Sequence, residues 1–102
     1  YATAYYGNAG SGAGYGLKGR NKTSNQKFIQ DCNEEGLVVV KIEVDNTGKV
    51  INAVPGVKGT ENSASCLLEP ARKTALSYRF NADPKAPARQ IGFVAIKFTL
   101  GQ

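Results

Sequence analysis

Histidine, methionine and tryptophan are absent from this 102-residue sequence, and cysteine occurs only twice. Without histidine there is no ready general base near neutral pH and no imidazole to bind a metal. Two thiols cannot complete a tetrahedral zinc site within one chain, so neither a metal nor a cofactor is expected. No apolar run approaches the ~20 residues that a membrane-spanning helix needs. The N-terminus has neither an initiator Met nor a charged and then apolar leader, so the sequence reads as a mature chain or an excised fragment. Catalysis is not expected. Glu43 and Asp45 lie on or beside a turn, where a solvated carboxylate is ordinary.

Acid is the scarcer charge, eight residues against thirteen basic ones, for a net charge of +5. That balance favours an anionic partner or surface without naming one. Lys18, Arg20, Lys22, Lys27 and Lys58 fall outside the regular elements, and no run of bases alternates with exposed aromatics. A solvated basic surface is the reading, and nucleic acid is not expected as a partner.

The most ordered stretch is Gly36–Val54. Val38, Val40, Ile42 and Val44 recur every second residue and line one face of a strand, while Lys41 and Glu43 point to the other, wet face. Asp45-Asn46-Thr47-Gly48 supplies a hairpin turn. The return strand, starting at Lys49, breaks alternation over Val50–Val54, which predicts a bulge near Asn52, and Pro55-Gly56 stops it. Asn62, Ser63 and Ser65 offer cap oxygens. Pro70 belongs in a first helical turn, which predicts a regular helix from Leu68 or Glu69 to Tyr78, with Glu61–Leu67 as a preceding turn. Its apolar stripe, Leu67, Leu68, Ala71, Ala75 and Tyr78, covers the hairpin. Asn81–Gln90 is a connection, and Val94, Ile96, Phe98 and Leu100 alternate in a last strand.

The expected fold is therefore α+β. It is a small β-β-α-β domain whose three-stranded antiparallel sheet, in the order 2-1-3, packs on one helix. The last strand would lie at an edge, where unpaired amides and carbonyls can accept another chain's strand. Upstream, Tyr1–Gly16 is glycine-rich and reads as a flexible linker. Its GSGAG run lacks the flanking strand, helix and GK[ST] of a phosphate loop. Leu17–Asp31 reads as an irregular lead-in, with a glycosylation sequon at Asn21-Lys22-Thr23. The domain division is thus 1–31, spacer and lead-in, and 32–102, the folded unit. Cys32 precedes the first strand and Cys66 the helix, elements that pack face to face. A disulfide or two buried thiols remain open, and the bridge is the expectation, with an oxidising compartment as its corollary.

Several runs read together resemble the TonB C-terminal domain. They are Gly36–Asp45 with Gly48-Lys49-Val50, Cys66-Leu67-Leu68-Glu69-Pro70-Ala71, Tyr78-Arg79-Phe80, the Asn81-x-Asp83-Pro84-x-Ala86-Pro87 loop, and Gly92-x-Val94-x-Ile96-x-Phe98-x-Leu100. The resemblance covers about Cys32–Leu100 and is closest to the Bacteroidota-type form, with one cysteine before the first strand and another before the helix.

It implies an energy transducer anchored in the bacterial inner membrane by a helix outside this sequence and driven there by ExbB–ExbD. Its domain would cross the periplasm and grip the TonB box of outer-membrane TonB-dependent receptors that import siderophores, vitamin B12 or glycans. The grip is strand addition, which the resemblance carries onto Phe93, Val94, Ala95, Ile96, Lys97, Phe98 and Thr99. Lys97 and Arg89 would attract acidic neighbours. The Gln-Pro-x-Tyr-Pro stretch of enterobacterial members has no counterpart in Lys18–Lys27, so no contact is carried over there. A homodimer is a further possible partner state, and a TolA-like envelope module is the nearest alternative. The role requires that the edge not be saturated by the chain's own residues.

Overall fold

The computed structural model describes residues 14–26, 28–30 and 32–99. Readings that fall on Tyr1–Ala13, Lys27, Asp31 and Leu100 lie outside the described residues. Among those described, one helix packs on antiparallel strands. The elements run β1 (Gly14–Gly16), β2 (Lys22–Ser24), β3 (Gly36–Val44), β4 (Val50–Pro55), α1 (Ser65–Ser77), β5 (Arg79–Phe80) and β6 (Gln90–Phe98). They form a four-stranded sheet in the order β1-β6-β3-β4 and a two-stranded one of β2 and β5. The α+β class holds, but the three-stranded sheet is corrected. The order 2-1-3 survives as β4-β3-β6, and β1 adds a fourth strand outside β6.

Alternation places the core as expected. Val38, Val40, Ile42 and Val44 on β3 and Val94, Ile96 and Phe98 on β6 are buried against Leu67, Ala71 and Ala75 of the helix. The small side chains of Ala71 and Ala75 let the helix lie close to the sheet, and buried β-branched residues fit its pleated surface. The opposite face is less wet than alternation suggests. Val39 and Ala95 are closed to solvent there. They pair across β3 and β6, and the Thr60 hydroxyl accepts the Val39 N–H at 2.9 Å, drawing the loop after β4 over that edge.

The hairpin turn is tied by Asp45, whose Oδ1 accepts the Thr47 hydroxyl at 2.6 Å and the Thr47 and Lys49 amides at 3.0 Å each. The bulge falls one residue from its expected place. Glu43 pairs with Asn52 and Val44 with Val50, leaving Ile51 as the extra residue. Gly48 has φ +96°, and a Cβ there would sit 1.9 Å from the Phe80 carbonyl oxygen. Only glycine allows this approach, and through it the Phe80 amide donates to the Gly48 carbonyl at 2.9 Å.

The Thr47 hydroxyl first, and then the Lys49 amide, hold the Asp45 carboxyl below its ordinary 3.8. A depressed folded-state value gives stability that is present above the unfolded pKa and lost as pH falls through the folded one. The melting temperature is therefore expected to drop below about pH 4, with a shallower acid limb for Asp45→Asn. Identical limbs would place the acid sensitivity elsewhere.

The helix starts earlier than the proline rule suggests. It begins at Ser65, its N-cap is Ala64 with no side-chain cap bond, and Pro70 lies inside it. Asn62 acts just upstream, its Oδ1 accepting the Ala64 amide at 3.0 Å. The reason is positional: Pro70 is the sixth helical residue, so its missing N–H leaves only the Cys66 carbonyl without its i+4 donor. Cys32 and Cys66 are joined in a disulfide.

β6 also starts earlier, at Gln90, taking that residue out of the expected connection, and it ends at Phe98, before Thr99.

Candidate strand-docking interface

β6 pairs with β3 over its whole length, from Gly36 opposite Phe98 to Val44 opposite Gln90. Its other rim is not an open edge. Gly14, Tyr15 and Gly16 of β1 pair antiparallel with Ala95, Val94 and Phe93. The expectation of a vacant edge over Phe93–Thr99 is corrected for Phe93, Val94 and Ala95, because a segment read as flexible linker folds back onto them. Ile96, Lys97 and Phe98 lie on β6 beyond the residues paired with β1. Thr99 follows the strand, and its carbonyl accepts Gln30 Nε2 at 3.4 Å. Val94, Ile96 and Phe98 turn inward, and Lys97 is exposed. Arg89 pairs with Glu43 at 3.5 Å on the surface.

What holds β1 on this rim comes from residues that composition concealed. Leu17, 2% exposed, enters the core directly after the strand. Tyr15 stacks edge-on against Phe80, ring centroids 5.6 Å apart, and Phe80 in turn lies 6.1 Å from the Tyr78 ring. The Tyr15 hydroxyl accepts the Lys22 amide at 3.3 Å. Burial first, and then the neighbouring Tyr15, push the Tyr78 hydroxyl above its ordinary 10.0. Gly92 gives β1 room to come this close, since a Cβ there would meet the Gly16 carbonyl oxygen at 2.6 Å and Leu17 Cδ1 at 2.7 Å. Tyr15-Gly16-Leu17 does carry one strand signal, two apolar residues spaced by two, but it is too short to outweigh the surrounding glycines.

Arg20 fastens the same segment from behind. Read as a solvated base, it is 4% exposed. Its Nε donates to the Asn81 carbonyl at 2.9 Å, Nη1 to Gln90 Oε1 at 3.0 Å and Nη2 to the Asp45 carbonyl at 3.2 Å. Gln90 Nε2 then donates to the Lys18 carbonyl at 2.7 Å, closing a ring of bonds between the lead-in, the hairpin turn and the start of β6. An open depression of about 400 Å³ lies beside this ring, lined by Tyr15, Leu17, Gly19, Arg20 and Asn21.

The lead-in is ordered further along as well. The Asn81 amide donates to the Asn21 carbonyl at 3.0 Å, β2 pairs with β5, and Thr74 Oγ1 accepts the Phe28 amide at 2.9 Å. The lead-in read as irregular therefore has strand structure at Lys22–Ser24, as the segment read as linker has at Gly14–Gly16.

Chemically, this interface offers backbone pairing, an aromatic row and a buried guanidinium. Among the described residues no three acidic, cysteine or histidine side chains gather as a metal site. No helix among them is long and apolar enough to cross a membrane. Comparison with models of known families, with characterised proteins and with solved structures finds no match to this chain.

Proposed function

We propose that this chain is a strand-binding adaptor of the TonB C-terminal type, the periplasmic end of an energy transducer anchored in the inner membrane. Its partners are outer-membrane TonB-dependent receptors, whose box segment pairs with β6. The membrane anchor and the link to ExbB–ExbD belong to a part of the protein outside this sequence. One observation carries the reading: the far rim of β6 already accepts a short antiparallel strand at Phe93, Val94 and Ala95. The unsaturated rim that this role requires is not met at Phe93, Val94 and Ala95, so docking there has to proceed by exchange with β1 rather than by addition to a vacant edge. Backbone bonds of this kind demand little of the ligand's side chains, which suits one adaptor serving many receptors. The disulfide fits an oxidising compartment such as the periplasm.

A nucleic-acid module of similar topology would display aromatics on an open sheet face, whereas Phe98 is 1% exposed. The test is titration of the labelled chain with a TonB-box peptide. The expected result is that amide shifts concentrate in β6 and β1 and that binding survives moderate salt. Shifts centred on β4, or affinity that collapses with rising salt, would overturn it.

A further inference from the structure

We infer that β1 is the chain's own stand-in for its ligand, and that the partner strand which replaces it presents an aromatic side chain, flanked by small residues, in the seat of Tyr15. The inference rests on β6 being the docking rim and adds what that rim selects. In an exchange, the incoming strand makes the same main-chain bonds to Phe93, Val94 and Ala95 that β1 gives up. Those contributions cancel. What remains is the side chain opposite Val94, which in β1 is Tyr15, set against Phe80 at 5.6 Å and 61°. An edge-to-face ring pair exceeds simple apolar contact in strength, so an aromatic residue gains over an aliphatic one. The neighbours opposite Phe93 and Ala95 are glycines in β1, and Gly16 is buried, its carbonyl pressed to Gly92. Bulky side chains beside the aromatic residue are therefore disfavoured.

The segment is also built to yield. β1 has only three residues, two of them glycine, which lose the most backbone freedom on ordering and bury little in return. The firm attachments, Leu17 and Arg20, lie after the strand. Lifting Gly14, Tyr15 and Gly16 from β6 about that anchor gives up the Tyr15–Phe80 ring pair and leaves Leu17 and Arg20 in place.

The test uses the full chain and its Tyr15→Ala variant, each titrated with a peptide copying Ala13–Leu17 and with the same peptide carrying Val in place of Tyr. The tyrosine peptide is expected to bind Tyr15→Ala about tenfold more tightly than it binds the unaltered chain, with shifts at Phe80 and Val94. The valine peptide is expected to bind roughly three- to tenfold more weakly. Equal binding of the two peptides, or shifts elsewhere, overturns the inference.

Should Tyr15→Ala fail to fold, hydrogen exchange on the unaltered chain decides. The β6 amides bonded to β1 should exchange at least about a hundredfold faster than those bonded to β3, through local opening, and equal protection overturns it. A TonB-box peptide that binds without any preference for an aromatic residue sinks this inference alone. Binding of the tyrosine peptide but not the box peptide sinks the receptor assignment and leaves this inference standing.

Discussion

Replacing Arg20 by Met should lower the unfolding free energy by about 3–5 kcal/mol, because three part-buried, charge-assisted hydrogen bonds at ~1.5 kcal/mol each are lost. The guanidinium is almost fully enclosed. Neither of the ion pairs among the described residues involves it. Its desolvation is instead met by the Asn81 and Asp45 carbonyls and the Gln90 side chain, whose chain positions are up to 70 residues from its own. Lysine offers one ammonium in place of a planar fork and cannot reach all three acceptors, so Arg20→Lys should recover only a minor part of the loss. Urea unfolding is the measurement: the midpoint falls while the slope is unchanged, as for a loss of stability without a change in the surface exposed. A shift below about 1 kcal/mol would mean that water serves these acceptors as well as Arg20 does.

Removing the disulfide comes next in size. Cys32 and Cys66 are separated by 34 positions, and closing a loop of that length restricts the unfolded chain by about 3–4 kcal/mol on the chain-entropy model. For a domain this small, that is a large part of the ~5–15 kcal/mol that a folded protein typically has. The Cys32→Ser, Cys66→Ser double variant should lose that amount in equilibrium unfolding, and reduction of the unaltered chain should lose about as much. If the double variant unfolds at the same denaturant concentration as the parent, the enclosed loop is already restricted in the unfolded state and the bridge serves something other than stability.

These two attachments were unequally legible in the sequence. The bridge followed from where Cys32 and Cys66 fall relative to a strand and a helix that alternation and spacing had already placed. The strands themselves could be read because Val38, Val40, Ile42 and Val44, like Val94, Ile96 and Phe98, state their burial locally, one residue at a time. Arg20 could not be read. Whether a guanidinium faces water or three converging acceptors depends on Asp45, Asn81 and Gln90, and nothing near Arg20 in the chain reports their positions.

β1 was hidden for a related reason. Glycine has no side chain with which to announce a strand, so Gly14 and Gly16 pair with Ala95 and Phe93 solely through a backbone that any sequence possesses. Tyr15 and Leu17 were the available signal, outvoted by their surroundings. The helix start is hidden too, because a proline signals a first turn, whereas the second turn of this helix tolerates Pro70.

The sulfur bridge also sets how the molecule would behave under tension. A pull entering through the lead-in reaches Cys32 and crosses directly to the helix at Cys66, bypassing the hairpin of β3 and β4 enclosed between them. That hairpin lies in mechanical parallel and cannot be drawn out. About 120 Å of contour, 34 positions at ~3.5 Å each, stays locked until the bridge is reduced, and extension comes only from the chain on either side.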